Sequence, residues 1–206
     1  MSYPEVAAQL AEIVRQCYAR GWALGTSGNF SAVVNRDPLR LAITASGVDK
    51  GTLSVGEIVE IDDQGNVVAG SGRPSAEASL HLAIARARGA GAVLHTHSIW
   101  STILSDGATE DGLAIEGYEM LKGLEGVATH DHREWLPILD NTQDWAAAVP
   151  QVEAILTEQP NAHGFLIRRH GLYTWGRDLA GARRQVEILE FLLEVMGRKR
   201  GTTWQP

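Results

Sequence analysis

A layered α/β fold is predicted for this chain by three observations. Long segments with apolar residues three and four apart, the mark of amphipathic helices, are interspersed with short apolar runs bounded by Gly, Asn and Asp, the mark of strands and turns. The hydrophobic fraction of 44% over 206 residues is enough for a buried core. Glycine stands at 22 residues without a repeat or a low-complexity tract, which points to several loops where the backbone turns tightly or approaches a ligand. The length favours one domain spanning 1–206, with 198–206 expected as a loose tail.

The elements follow in order. Tyr3, Val6, Leu10, Ile13 and Cys17 make one helical stripe from Tyr3 to Arg20, and Gly21 stands where a cap is expected. Between Gly25 and Val68 the pattern shortens to strands at Phe30–Val34, Leu39–Ile43 and Ile58–Ile61. Pro74-Ser75 opens a helix from about Ala76 to Arg88, stopped by Gly89. Gly91 to His97 reads as a buried strand, and Ser98 caps a short helix through Leu104. Ser105 to Asp140 is mixed. Thr142 to Glu158 reads as a helix that Pro150 should bend or restart. Two strands, His163–Arg169 and Leu172–Trp175, join through His170-Gly171. Asp178 caps a last helix with the stripe Leu179, Ala182, Val186, Leu189, Leu193 and Met196.

Composition excludes several classes. With 18 Lys and Arg against 25 Asp and Glu, the net charge is −7, so a nucleic-acid or anionic-membrane partner, which needs a basic field, is not expected. The single Cys17 excludes an internal disulfide and any multi-cysteine metal site. The opening MSYPEVAAQL lacks the basic-then-apolar order of a secretory signal, and no apolar run approaches a membrane span, so a cytoplasmic setting is expected.

The sharpest chemical feature is His95-Thr96-His97. On a strand, residues two apart share a face, so both imidazoles can reach one ion. His170, at a sharp turn beside Gly171, is the best candidate for a third ligand. Three neutral imidazoles with an open position make the ligand set of a catalytic zinc site. His130-Asp131-His132, in a charged run, reads instead as a solvated surface turn. His163 reads as structural. His81, four residues after Glu77, either packs beside the site or caps its own face.

Small-residue loops supply the second feature. Gly25-Thr26-Ser27-Gly28-Asn29-Phe30-Ser31, Thr44-Ala45-Ser46-Gly47-Val48-Asp49-Lys50 and Arg73-Pro74-Ser75 can each present backbone N–H groups and short side chains to an anion. No Walker or dinucleotide fingerprint is present, so a small phosphorylated metabolite fits better than a nucleotide. Of three lysines, Lys50 closes the second loop and can act as a point charge for phosphate, with plain solvent exposure an equal alternative.

In this order GTSGNFS (25–31), TASGVDKG (44–51), PSAEASLH (74–81), HTHS (95–98) and RRHGLYTWG (168–176) resemble the class II aldolase/adducin family over almost the whole chain. The resemblance implies an α/β; three-layer α/β/α sandwich with a central mixed, largely antiparallel sheet. It implies one Zn2+ per subunit on His95, His97 and His170, a phosphorylated sugar held around Gly28, Asn29, Ser46, Gly47 and Ser75, and a homo-oligomer, commonly a tetramer. Glu119-Met120-Leu121-Lys122-Gly123 is similar to the branch that dehydrates 5-methylthioribulose 1-phosphate in methionine salvage, which implies Glu119 as acid/base. The Ser-x-Glu motif of the aldolases maps instead onto Glu77. Both carboxylates are present, and the dehydratase-like segments favour Glu119. A zinc aldolase or epimerase on a ketose phosphate is the alternative, ahead of a Schiff-base aldolase on Lys50 or Lys122 and of an adducin-like binding module.

Overall fold

The computed structural model describes residues 2–108 and 110–202. Helix α1 (Tyr3–Ala19) starts at Ser2, whose N–H and hydroxyl are both held by the Glu5 carboxylate, and it buries Val6, Leu10, Val14 and Cys17. Strands β1 (Asn29–Arg36), β2 (Leu39–Thr44) and β3 (Ile58–Ile61) match the apolar runs, and a short β4 (Val67–Ala69) follows. Helix α2 (Ala78–Arg88) begins two residues later than expected, after Glu77, and ends at a left-handed Gly89. Next come β5 (Ala92–Thr96) and α3 (Ile99–Asp106), the latter capped by the Ser98 hydroxyl on the Ser101 N–H. The mixed stretch resolves into β6 (Gly112–Glu116), a 3-10 turn at Glu119–Gly123, and β7 (Arg133–Leu139).

Helix α4 (Trp145–Glu158) starts at Asp144, whose carboxylate accepts from Ala147 N–H at 3.0 Å. Contrary to expectation it runs on through Pro150, which sits on its exposed side. Strands β8 (Gly164–Ile167) and β9 (Gly171–Gly176) form a hairpin, and Asp178 caps α5 (Leu179–Thr202) at the Gly181 N–H, 2.7 Å away. The expected loose tail is corrected here: 198–202 belong to α5, and 203–206 lie outside the described residues. The helix continues because Gly197 lets Trp100 of α3 pack where a Cβ would stand, and Arg198 pairs with Glu194 one turn back.

Among the described residues nine strands form one sheet in the order β4-β3-β2-β1-β5-β9-β8-β7-β6, with only β7 and β8 parallel. Alternation along each strand sends side chains to the two faces of the sheet. Ala92, Leu94, Leu166 and Leu172 face α1, α3 and α5, packing with Leu10, Leu104, Val186 and Leu189. Val93, Phe165, Tyr173 and Trp175 face α2 and α4, packing with Leu80, Ile84, Trp145 and Val152. The result is the three-layer α/β/α arrangement with a mixed, largely antiparallel sheet.

Pairing of β5 with β9 sets the centre of the molecule: His95 lies opposite Tyr173, and Thr96 opposite Leu172. At the start of β9 a Cβ on Gly171 would stand 2.0 Å from the Thr96 carbonyl oxygen, a rigid backbone contact. Gly171→Ala should therefore cost about 1–3 kcal/mol as the strands are forced apart, read as a lower urea midpoint with unchanged slope.

Candidate active site

Two elements deliver the three predicted histidines. His95 and His97 leave the end of β5 on the α2/α4 side, while Thr96 between them points the other way, toward α5. His170 comes from the tight β8–β9 turn, where Arg169 adopts φ 57° and is held by the Ser105 hydroxyl on its N–H and by Asp106 on its guanidinium. The three Nε2 atoms converge: His95 to His97 is 2.8 Å, His97 to His170 is 3.0 Å and His95 to His170 is 3.3 Å.

The hydrogen bonds of the opposite ring nitrogens fix what those Nε2 atoms present. His95 Nδ1–H donates to the Leu172 carbonyl at 3.0 Å, and His170 Nδ1–H donates to Asn141 Oδ1 at 3.1 Å. Each therefore turns an Nε2 lone pair toward the shared centre. Burial lowers the pKa of all three rings, that of His97 to about 3, so they are neutral. Converging lone pairs repel unless a cation lies between them, and nitrogens this close can all reach one ion at about 2.0–2.1 Å. The donor set fits a divalent metal ion.

Glu77, immediately before α2, stands beside this cluster. Its Oε2 is 3.4 Å from His95 Nε2, its Oε1 is 4.0 Å from His170 Nε2, and it accepts a hydrogen bond from the Tyr173 hydroxyl. Burial raises its pKa, opposed by the bonds from Tyr173 and Asn29. Tyr173 itself stacks on His95 with ring centroids 4.0 Å apart. His81 is fully buried and links the first loop to α2: its Nε2–H donates to Asn29 Oδ1 at 2.5 Å, and its Nδ1 accepts from the Ser31 hydroxyl at 2.7 Å.

A cleft of about 390 Å³ opens at His97 and His170, and all six residues expected to hold phosphate line it: Gly28, Asn29, Ser46, Gly47, Lys50 and Ser75. The loops are tied to one another by Lys50 N–H on the Gly25 carbonyl and Ser46 N–H on the Arg73 carbonyl. Gly28 has φ 72°, and a Cβ there would meet the His95 carbonyl at 2.7 Å, so only glycine brings this loop against β5. Lys50 is buried, not solvated: its ammonium donates to the Thr26 and Val48 carbonyls, leaving one proton for a ligand, and burial lowers its pKa to about 8.

Glu119 is placed differently. It lies on the 3-10 turn, 73% exposed, paired with Lys122 and 4.0 Å from His130, and is not among the residues lining its own chain's cleft. The surface-turn reading of His130-Asp131-His132 holds for the first two residues. His132 is half-buried and meets Glu134 at 2.8 Å, because alternation along β7 turns Glu134 inward. Tyr173, Asn141 and Trp145, whose ring lies 5.5 Å from that of His170, escaped the sequence reading. A polar or aromatic residue on a strand or loop gives no local sign of the ligand it will touch.

The Class II Aldolase and Adducin N-terminal domain model matches residues 8–196. The chain belongs to the class II aldolase and adducin family. It is 44% identical to methylthioribulose-1-phosphate dehydratase of Sorangium cellulosum, covering 94% of this chain and 92% of that one. It is 42% identical to the protein of the same name from Pseudomonas syringae pv. syringae, covering 94% and 95%. The fold matches that of L-fuculose-1-phosphate aldolase from Thermus thermophilus with a TM-score of 0.74, at 22% identity over 96% of each chain.

Behind the ligand strand, the fully buried Glu190 of α5 accepts from the Thr96 hydroxyl at 2.5 Å, and burial raises its pKa to about 7 against the pull of the Ser98 and Thr96 hydroxyls. A carboxyl with a raised folded pKa binds protons more tightly folded than unfolded, so its penalty grows as pH rises from about 4.5 to 7 and is complete above that range. Glu190→Gln should remove this slope and gain up to about 3 kcal/mol over the native chain above pH 7, measured by urea unfolding across pH. At the ligands, Asn141→Ala removes the partner of His170 Nδ1 and should weaken metal binding about 10–100-fold, read by competition with a chromogenic chelator.

Proposed function

We propose that this chain dehydrates 5-methylthioribulose 1-phosphate to 2,3-diketo-5-methylthiopentyl 1-phosphate in methionine salvage, with one zinc ion per subunit on His95, His97 and His170. The observation that carries the reading is the meeting, in one cleft, of the three-histidine cluster, a buried carboxylate and three anion loops. The names of the relatives at 42–44% identity supply the substrate.

The reaction removes a proton from C3, next to the C2 ketone, and expels the C4 hydroxyl. A divalent ion held by the histidines supplies Lewis acidity to the ketone oxygen, which makes the neighbouring C–H acidic. Glu77 takes the C3 proton, being the buried carboxylate beside the histidine cluster on the cleft wall. The same carboxyl then delivers that proton to the departing C4 hydroxyl, which leaves as water. The C3–C4 enol so formed ketonises to the 2,3-diketone, and atoms balance. Tyr173, hydrogen-bonded to Glu77, holds the carboxylate in line.

Lys50, Ser46, Ser75 and the N–H groups around Gly28 and Gly47 hold the phosphate and set the distance from C1 to the reacting carbons. Trp145, buried beside His170 on the cleft wall, gives the apolar surface for the methylthio end.

Glu119 keeps a role if it serves the cleft of a neighbouring subunit, since it is exposed and outside its own. A homo-oligomer, read as a tetramer, fits the apolar side chains Ile99, Ile103 and Phe191, exposed by 65%, 53% and 46% on the packed pair α3 and α5. A cytoplasmic setting fits the free, buried Cys17.

The test is a dehydration assay with 5-methylthioribulose 1-phosphate, run beside a retro-aldol assay. Glu77→Gln should lower kcat by about 100-fold or more with metal content unchanged. Near-native turnover would remove Glu77 as the base, and retro-aldol cleavage without dehydration would replace the reaction itself. Mixing Glu119→Gln with His97→Ala subunits should restore activity only if Glu119 acts across a subunit contact.

A further inference from the structure

The described residues contain a second cluster of metal-ligating groups, away from the cleft and unused by the mechanism. His132 precedes β7 and Glu134 lies on it; two residues apart, they share a face by the same alternation that pairs His95 with His97. β8 runs alongside β7, so His163, the residue before β8, comes against Glu134. Glu134 Oε2 lies 2.8 Å from His132 Nε2 and 2.8 Å from His163 Nδ1. We propose that His132, Glu134 and His163 form a second divalent-cation site.

Four observations support this. Glu134 is only 1% exposed, so its charge is shut off from water and needs a close cation, a place the His163 ring takes when no metal is bound. Its other oxygen, Oε1, is already engaged by the His163 backbone N–H at 2.9 Å, which leaves Oε2 as the free ligand atom. His163 Nε2–H donates to the Glu125 carbonyl at 2.8 Å, which fixes the ring with its Nδ1 toward Oε2. Without metal a proton on Nδ1 fills that contact; against the effect of burial it raises the His163 pKa and lowers that of Glu134, and it is the proton a divalent ion would displace. A ring held by a backbone carbonyl on one nitrogen is oriented as metal-ligating histidines are, with the other nitrogen available once its proton is displaced.

The fourth observation is the space beside the cluster. A cavity of about 550 Å³ is bounded by His132 and His163, so an ion here keeps positions open to solvent. Gln185 lines the same cavity, is 2% exposed, and its Oε1 has no hydrogen-bond partner among the described residues. An acceptor without a donor in a buried site calls for a ligand that brings one, and the water of a bound ion does. Two imidazoles and one carboxylate select a first-row transition ion over magnesium or calcium, which prefer oxygen alone.

An ion at this position would join β7, the entry to β8 and the segment around Glu125, which follows the turn bearing Glu119. Its effect is a brace on that end of the sheet, separate from the chemistry in the cleft.

The experiment is cobalt titration of the metal-free full-length chain, followed by visible absorption and calorimetry, in four forms. The native chain should take up two ions, His132→Ala one, His97→Ala one, and the double variant none. Cobalt should also raise the Tm of His97→Ala but not that of the double variant. His132→Gln, which keeps a polar contact with Glu134, serves in place of His132→Ala if the latter does not fold, and should likewise bind one ion. Uptake of one ion by the native chain and none by His97→Ala overturns the proposal, since a proton then bridges the cluster. Two ions retained by a folded His132 variant overturn it as well.

Discussion

The antiparallel register of β5 and β9 is the constraint on which the rest of the site depends. It places His95 over Tyr173 and Thr96 against Leu172, and it leads the chain out of the β8–β9 turn so that His170 arrives beside the end of β5. Backbone hydrogen bonds fix that register, and a slip by one residue would turn His95 toward α5 and Thr96 toward the cleft. Gly171 permits the approach because there is no room for a Cβ above the Thr96 carbonyl. Three ring nitrogens are thereby held within 3.3 Å of one another, a donor set that fits one divalent ion.

The same strand serves both faces of the sheet. Its His95 side meets Tyr173, Glu77 and the helices α2 and α4, and its Thr96 side is held by the buried Glu190 of α5. Strand β5 is thus gripped from behind by a charge-capable group on the face opposite the histidine cluster. Glu77 is positioned by similar means: Tyr173 binds it, and His81 and Ser31 orient Asn29, whose side chain also reaches it. Chains of hydrogen bonds among buried groups allow little adjustment, so the carboxylate and the ligands keep their relative places.

The phosphate site proposed for this acidic protein needs only local charge. Lys50 is the basic side chain lining the cleft, desolvated and tied to two backbone carbonyls, and N–H groups and hydroxyls provide the remainder. Desolvation that lowers the lysine pKa also strengthens its attraction to an anion entering the same low-dielectric space. A net charge of −7 over the whole surface is compatible with this, and it discourages larger polyanions.

Much of this was legible in the residues themselves. Helical spacing placed α1, α2 and α5 within a few positions, the alternation of His95 and His97 put two imidazoles on one face, and the glycine-rich loops singled out between strands meet in one cleft. These properties are local, repeating every two or four residues, and a linear chain displays them. What the chain could not display was which distant groups would meet. Glu77 and Glu119 are both acidic residues beside predicted turns, yet one is buried against Tyr173 and the other is exposed beside Lys122. Lys50 could be solvated or buried, and His132 could sit in a surface turn or against Glu134; strand order and loop closure settled both. The sequence determined the periods of its elements and the chemistry of its side chains. Only the tertiary structure decided which of those side chains share a desolvated space, because burial and contact between distant segments arise from packing rather than from local pattern.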